Sequence, residues 1–204
     1  MLTALVAAFG CILGLTVVVN GLSRNTSPDP AATSIPASVR TNVPALTGFR
    51  RGGPLRRSVP VRIRIPAIGV DAQIIQLGLN ADGTVQVPPL DEHNLTGWYR
   101  YGPAPGQRGA SVILGHVDSV TGPSVFYLLK DLQAGDLIYV TLADGKTAVF
   151  VVDGLQRAAK TQFPTSSVYG KLGYPGLRLI TCGGPFNSTT GHYADNIIAY
   201  AHLT

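Results

Sequence analysis

Short apolar runs separated by turn-forming residues extend from Val59 to the C-terminus, and this pattern constrains the fold more than any other feature. The first run, 61–65, alternates valine or isoleucine with arginine, which is the period of a strand buried on one face. Glycine and proline, 24 and 15 of the 204 residues, interrupt the chain too often for a helical bundle. The predicted strands are Val61–Ile65, Gln73–Leu77, Thr84–Val87, Ala110–Leu114, Leu137–Leu142, Ala148–Val152, Leu177–Thr181 and Asn196–Ala201.

Turn signals between these runs indicate an all-β domain at 59–204. Asn80-Ala81-Asp82-Gly83 is one such signal, and Ala143-Asp144-Gly145 between two apolar runs predicts a β-hairpin. Only short helices are expected, mainly around Ser124–Asp131. Eight short strands in one domain indicate a closed or nearly closed β-barrel.

The first 22 residues contain no charged side chain. About 20 apolar residues at ~1.5 Å rise span the hydrocarbon core of a bilayer, about 30 Å thick. Residues 1–22 are therefore predicted to form an uncleaved transmembrane anchor. A cleaved signal peptide is the alternative, but its charged start and shorter apolar region are missing. The protein is therefore predicted to cross the cell membrane once, with its folded domain outside the cell.

The net charge of +5 lies outside the predicted domain. Residues 23–58 are rich in Ser, Thr, Pro, Ala and Arg, lack apolar periodicity and carry six arginines against one acid. They are predicted to be a disordered linker. Residues 58–204 balance ten Lys and Arg against ten Asp and Glu. A nucleic-acid-binding domain carries its basic surface on the fold, so no nucleic acid partner is expected.

Cys182 ends an apolar run directly before Gly183-Gly184. A side chain becomes accessible at a strand end, and glycine lets a substrate backbone approach. An extracellular thiol without a disulfide partner is uncommon, because oxidising compartments favour disulfides. We interpret Cys182 as a nucleophile. The alternative is a buried, inert cysteine.

A cysteine nucleophile needs a neighbouring base that also stabilises the thiolate, and imidazole does both. His116 ends an apolar run beside Gly115, much as Cys182 does. A metal site at His116 and Asp118 is the competing interpretation, but no further Cys/His cluster supports it, and no metal or cofactor is expected. The other three histidines of the domain are expected at the surface: His93, His192 and His202.

Two motifs, in this order, resemble those of the sortase family. Leu-Gly-His-Val-Asp occupies 114–118 and Leu-Ile-Thr-Cys-Gly-Gly occupies 179–184, so the cysteine follows the histidine by 66 positions. Together with Tyr-Ala-Asp-Asn at 193–196, they are most similar to class F sortases of actinobacteria. The resemblance covers Val59–Thr204 and implies an eight-stranded sortase-type β-barrel.

This resemblance implies a membrane-anchored cysteine transpeptidase without a cofactor. Cys182 would attack the Thr–Gly bond of a Leu-Pro-x-Thr-Gly-like sorting signal and form a thioester. His116 would protonate the leaving amine and then deprotonate the acceptor. The implied partners are surface proteins or pilins that carry the signal, and a cell-wall precursor or pilin amine.

Two other functions remain open from the sequence. One is a different cell-wall cysteine transpeptidase or amidase. The other is a non-catalytic, membrane-tethered β-barrel that binds wall polymer or a partner protein, with Cys182 inert.

The residue with the third catalytic role, which is to hold the substrate or stabilise the oxyanion, is open as well. Sortases use an arginine on the strand after the cysteine to hold the substrate or the developing oxyanion, but no arginine follows Arg178 here. Arg178 is the preferred candidate, because it precedes Cys182 by four residues and strand alternation places both on one face. Asn196, by its position after the cysteine, and Arg100 are alternatives. Asp118 either accepts a hydrogen bond from His116 or lies in a turn.

Overall fold

The computed structural model describes residues 52–204, and eight of its strands close into a barrel. These strands are β1 (Pro60–Ile65), β2 (Val70–Leu77), β3 (Leu95–Tyr99), β4 (Gly109–Gly115), β7 (Leu137–Leu142), β8 (Thr147–Ala159), β9 (Pro175–Asn187) and β10 (His192–Leu203). Their order around the barrel is β1-β2-β3-β4-β9-β10-β8-β7. Neighbours are antiparallel except in the pairs β2–β3 and β4–β9, which are parallel. The predicted all-β, eight-stranded barrel is confirmed.

The remaining elements are short. β5 (Asp118–Ser119) and β6 (Gly122–Pro123) form a small hairpin after β4. The helix α1 (Thr165–Tyr169) lies in the connection between β8 and β9. Three 3₁₀ turns complete the described chain: Pro66–Ile68, Leu129–Asp131 and Lys160–Gln162.

The barrel interior is filled by side chains that alternate along the strands. Large residues with essentially no exposed surface include Ile63 on β1, Trp98 on β3 and Phe150 on β8. Each such side chain stabilises the fold by about 1.5–3 kcal/mol through its removal from water. The interior is therefore a packed core without a channel.

A second apolar cluster covers the outer face of β4, β9 and β10. It contains Val112 and Leu114 of β4, Ile180 of β9 and Ile198 of β10, and Val168 of α1 packs against it. The same face of β9 continues from Ile180 to position 182. This layer thus supports the end of β9 where the predicted nucleophile lies.

One predicted strand is wrong and one observed strand was not predicted. Thr84–Val87 makes only an isolated bridge between Leu79 and Val85. The missing barrel strand is β3, whose glycine weakens the strand pattern. Gly97 is needed there because the Leu77 side chain occupies the space of a Cβ.

The predicted helix around Ser124–Asp131 is instead a series of turns with one 3₁₀ turn, Leu129–Asp131. The predicted hairpin at Ala143-Asp144-Gly145 is present and joins β7 to β8.

The last residues of the predicted linker are ordered on the barrel, because residues 52–58 bind it at several points. The Gly52 N–H donates to the Leu203 carbonyl at 2.8 Å. The Arg57 guanidinium donates to the carbonyls of Arg100 and Gly102, at 2.9 and 3.2 Å, and stacks on Trp98. The folded part therefore begins before Val59. The predicted anchor 1–22 and linker residues 23–51 lie outside the described residues. Within 52–204, the structure contains no helix with the length and apolarity of a membrane span.

Candidate active site

Strand register brings three of the predicted site residues together. In the parallel pair β4–β9, Leu114 lies opposite Ile180. Continuing both strands by two residues places His116 at the level of Cys182. In the antiparallel pair β9–β10, Cys182 lies directly opposite Asn196. Since Cβ atoms of directly opposite residues in an antiparallel pair are about 4.5–5.5 Å apart, Cys182 and Asn196 lie side by side on one face of the barrel, with His116 at their level just past the end of β4.

The His116 ring is oriented by a backbone carbonyl. This half-buried residue follows β4 directly, and its Nε2 lies 2.7 Å from the carbonyl oxygen of Pro88. A carbonyl only accepts hydrogen bonds, so Nε2 carries the proton in the neutral ring and Nδ1 holds the lone pair. The N–H of Phe126 donates to the His116 carbonyl at 3.0 Å and fixes the main chain. Nδ1 is therefore the ring atom that can accept and return a proton.

The chain bulges immediately after Cys182. Cys182 is half-buried, and past the Gly183–Asp195 pair β9 has one residue more than β10. Gly184 has a φ of +78°, and a Cβ at this position would collide with the Asp195 carboxylate. Bulges beside active sites redirect side chains and interrupt the ladder. The Gly-Gly sequence after Cys182 thus allows the backbone to leave regular pairing beside the thiol.

Asn196 is buried without hydrogen-bond partners. Its side chain is 1% exposed, and neither its Nδ2 nor its Oδ1 finds a partner among the described residues. Leaving a buried polar group unsatisfied costs about 1–3 kcal/mol. A buried amide donor beside the Cys182 thiol is well suited to a ligand oxygen at that point. Asn196 is thus the third-role candidate that the fold brings to Cys182.

The structure does not bring Arg178 to Cys182. Four residues along a strand correspond to about 13 Å. The guanidinium extends the other way, since its Nη1 lies 3.3 Å from the position of a Gly176 Cβ. Its Nε donates to the Ser167 carbonyl in α1, at 3.2 Å, and its plane lies over Tyr200. Arg178, 3% exposed, therefore fastens α1 to β9.

Arg100 lies still farther from the thiol. β3 runs antiparallel to β4, with Thr96 opposite Gly115 and Trp98 opposite Ile113. Continuing this register places Arg100 about five residues, or roughly 16 Å, from the level of His116. Arg100 Nη2 donates to the Tyr101 hydroxyl at 3.0 Å. Both arginine candidates are thus separated from Cys182 by the register of their strands.

Asp118 lies in β5, and its side chain is hydrogen-bonded to Tyr193, a contact that the sequence motifs do not predict. Its carboxylate accepts a hydrogen bond from the Tyr193 phenol, and no hydrogen bond between Asp118 and the His116 ring occurs in the described chain. This bond, together with burial and electrostatic interaction with Asp118, Cys182 and Tyr127, raises the pKa of Tyr193 to about 12. The phenol therefore remains a donor throughout the neutral pH range.

An arginine from β8 approaches the bulge after Cys182. Arg157 forms an ion pair with Asp195, and its Nη2 lies 3.0 Å from the position of a Gly184 Cβ. The ion pair joins β8 to β10 and holds the Asp195 carboxylate against the bulge. Nothing local in the sequence indicates this contact, because the two residues are 38 positions apart.

The arrangement suits acyl transfer better than metal chemistry. A thiol, an imidazole with Nδ1 as its acceptor and a buried amide donor are the parts needed to attack a carbonyl and stabilise the resulting oxyanion. Among residues 52–204, no three His, Cys, Asp or Glu side chains cluster as a metal site.

Known proteins share this fold. The Sortase domain family model matches residues 63–204. Sortase C-1 from Actinomyces oris is 24% identical with a TM-score of 0.55, over 71% of this chain and 74% of that one. Sortase A from Corynebacterium diphtheriae is 22% identical with a TM-score of 0.56, over 73% and 62%. A sortase D5 transpeptidase from Clostridium perfringens is 24% identical with a TM-score of 0.53, over 72% and 79%. No curated protein sequence matches the chain.

Proposed function

Because the chain belongs to the sortase family, whose members are cysteine transpeptidases, we propose that it cleaves a Leu-Pro-x-Thr-Gly-like sorting signal at the Thr–Gly bond. The observation that carries this proposal is the strand register, in which Cys182 lies opposite Asn196 and His116 follows β4 at the same level. The acyl group then passes to an amine of a cell-wall precursor or a pilin.

In the first half of the reaction, the Cys182 sulfur attacks the threonine carbonyl carbon while His116 holds the thiol proton. The Asn196 amide N–H donates to the oxyanion of the tetrahedral intermediate. The C–N bond then breaks, and His116 gives its proton to the leaving glycine amine. A thioester remains on Cys182.

In the second half, the acceptor amine attacks the thioester carbonyl. A C–N bond forms, the C–S bond breaks and His116 receives a proton from the amine. Water is a slower acceptor by the same route. Because Pro88 holds Nε2, Nδ1 of His116 performs both transfers.

The cellular setting is part of the same proposal. We propose that residues 1–22 form a membrane anchor, that the linker predicted at 23–58 connects it to the barrel, and that the barrel is an extracellular catalytic domain. The motifs at 114–118, 179–184 and 193–196 support placing the chain with class F sortases. Surface proteins or pilins that carry the sorting signal are its proposed substrates.

The proposed function is tested by trapping the acyl-enzyme. The full chain in mild detergent is mixed with a Leu-Pro-Glu-Thr-Gly peptide and its intact mass is measured. We expect an adduct that lacks the glycine side of the peptide, lies on Cys182 and is released by hydroxylamine. No adduct, together with a Cys182 that iodoacetamide does not alkylate, would establish an inert barrel instead. No adduct with a reactive thiol would refute this sorting signal and leave thiol chemistry.

Asn196→Leu is expected to lower transfer while it stabilises the fold. Loss of one oxyanion donor reduces rate by about 10²–10³-fold. Removing an unsatisfied buried amide should increase the free energy of unfolding by up to about 1–3 kcal/mol. Peptide cleavage rates and thermal unfolding of the same samples measure both effects. Transfer within threefold of the unaltered chain would exclude Asn196 from the oxyanion site.

Arg178→Met is the matched control. It removes the guanidinium that binds the Ser167 carbonyl and stacks on Tyr200, so we expect a lower melting temperature. Below that temperature, transfer should stay within about threefold, because the guanidinium extends away from Cys182. A loss as large as that of Asn196→Leu, in folded protein, would return the third role to Arg178.

A further inference from the structure

A hydrogen bond bridges the two strands that flank the nucleophile's strand. Asp118 follows β4, Tyr193 lies on β10, and β9 runs between β4 and β10. The Asp118–Tyr193 bond therefore crosses β9 near its bulge. The charge of Cys182 contributes to the raised pKa of Tyr193, which is consistent with the phenol lying close to the thiol.

Among residues 52–204, no Lys, Arg or His side chain forms an ion pair with the Asp118 carboxylate. The ion pairs within residues 52–204 involve other acids, namely Asp71, Asp144, Asp153 and Asp195. Asp118 is half-exposed and Tyr193 binds one of its oxygens, so the carboxylate can accept further hydrogen bonds. An unpaired carboxylate near a thiolate is repulsive and does not assist the first half of the reaction. Its charge becomes favourable once the sulfur is acylated and a cation approaches.

The tyrosine that binds this carboxylate packs against a second, exposed ring. The Phe186 and Tyr193 rings lie 5.1 Å apart with an interplanar angle of 60°. Phe186 is 55% exposed and Tyr127 is 41% exposed. The Tyr127 ring already has a cation near its face, since Lys130 Nζ lies 5.6 Å from its centroid. Ring faces beside a carboxylate favour an ammonium group through cation–π attraction and charge.

We propose that Asp118, together with the rings of Tyr193 and Phe186, binds the ammonium group of the incoming acceptor amine. The inference rests on the proposed function and gives its second half a binding site. Tyr193 holds the carboxylate beside the thioester. Asp118 offers its remaining lone pairs to the ammonium, which enters over the aromatic rings.

The proton balance of the step is complete without another reactant. The bound ammonium carries three protons on nitrogen. One first leaves to solvent and frees the nitrogen lone pair, one passes to neutral His116 as the nitrogen attacks, and the third stays on the new amide. The nitrogen forms a bond to the acyl carbon, the C–S bond breaks and the sulfur leaves as thiolate beside the protonated His116. Asp118 stays ionised throughout and takes no proton.

The test compares a cationic acceptor with a neutral one. The full chain in mild detergent is acylated with the Leu-Pro-Glu-Thr-Gly peptide, and acyl-enzyme formation and transfer are timed separately. Triglycine, whose amine is largely protonated at neutral pH, is the first acceptor. Hydroxylamine, largely neutral at that pH, is the second. Asp118→Asn is the test variant, and Asp131→Asn, an exposed carboxylate on a 3₁₀ turn, is the charge-matched control.

We expect Asp118→Asn to raise the KM for triglycine at least tenfold. Acyl-enzyme formation and transfer to hydroxylamine should stay within about twofold, and Asp131→Asn should change none of these rates. Tyr193→Phe keeps the ring and the Asp118 charge but releases the carboxylate, so the KM for triglycine should rise by less than it does in Asp118→Asn.

Three results would overturn this inference. An unchanged triglycine KM in Asp118→Asn would show that the carboxylate binds no ammonium. If Asp118→Asn lost as much transfer to hydroxylamine as to triglycine, the Asp118–Tyr193 hydrogen bond would be a structural contact. The same would follow if Tyr193→Phe lost as much transfer to triglycine as Asp118→Asn. Absence of any acyl-enzyme in the unaltered chain would instead refute the proposed function, and this inference with it.

Discussion

Cys182→Ala is expected to abolish transfer, with a loss of at least about 10⁴-fold. Covalent catalysis depends on one atom here, because Cys182 is the one cysteine within residues 52–204, and removal of a nucleophile that works with a neighbouring base has effects of this size or larger. The fold should survive. Cys182 is only half-buried, and the substitution removes a single sulfur from a strand held by both neighbours.

The measurement is the intact mass of the variant after incubation with the sorting peptide, together with its melting temperature. Cys11→Ala is the matched control, because Cys11 is the other cysteine of the chain, and it should retain both adduct and transfer. An adduct on Cys182→Ala, or more than about one per cent of the original transfer rate, would refute Cys182 as the nucleophile.

The barrel could be predicted from local patterning, because strand alternation and turn residues act over a few positions. Seven of the predicted runs lie in observed barrel strands, and the Ala143-Asp144-Gly145 turn joins two of them. β3 was not predicted because its glycine carries no alternation. Gly97 is required because the Leu77 side chain, 20 positions away in sequence, occupies the space of a Cβ.

The site was predictable to the extent that its residues end strands. His116 and Cys182 each follow an apolar run, and pairing of those runs brings the two side chains to one level. Asn196 was selected by position, and its place opposite Cys182 follows from the β9–β10 register. Strand alternation and its positive charge make Arg178 the preferred candidate from the sequence. Alternation gives the correct face, but not the direction in which a long side chain extends along it.

Contacts between distant segments could not be read from the sequence. The Asp118–Tyr193 bridge spans 75 positions and the Arg157–Asp195 ion pair spans 38. The Pro88 carbonyl that orients His116 comes from a loop with no motif. Each contact depends on the order of strands around the barrel, which local propensity does not determine.

His116→Ala is expected to lower transfer by about 10²–10⁴-fold, the usual contribution of general acid–base catalysis. The loss should depend on the leaving group. An amide substrate needs a proton on its leaving amine, whereas a thioester substrate expels a thiolate that needs none. The decrease should therefore be larger for the amide than for a thioester of the same acyl peptide. Burst kinetics with the two substrates measure it.

His192→Ala is the matched control, since His192 lies at the start of β10, beyond the bulge. It should leave both rates within about twofold. Equal losses with the two substrates in His116→Ala would mean that the imidazole activates the thiol without protonating the leaving amine. Retention of most activity would remove His116 from the mechanism. The Pro88 contact makes the expected outcome specific: with Nε2 bound to a carbonyl, Nδ1 performs both proton transfers, so the variant loses the acid and the base together.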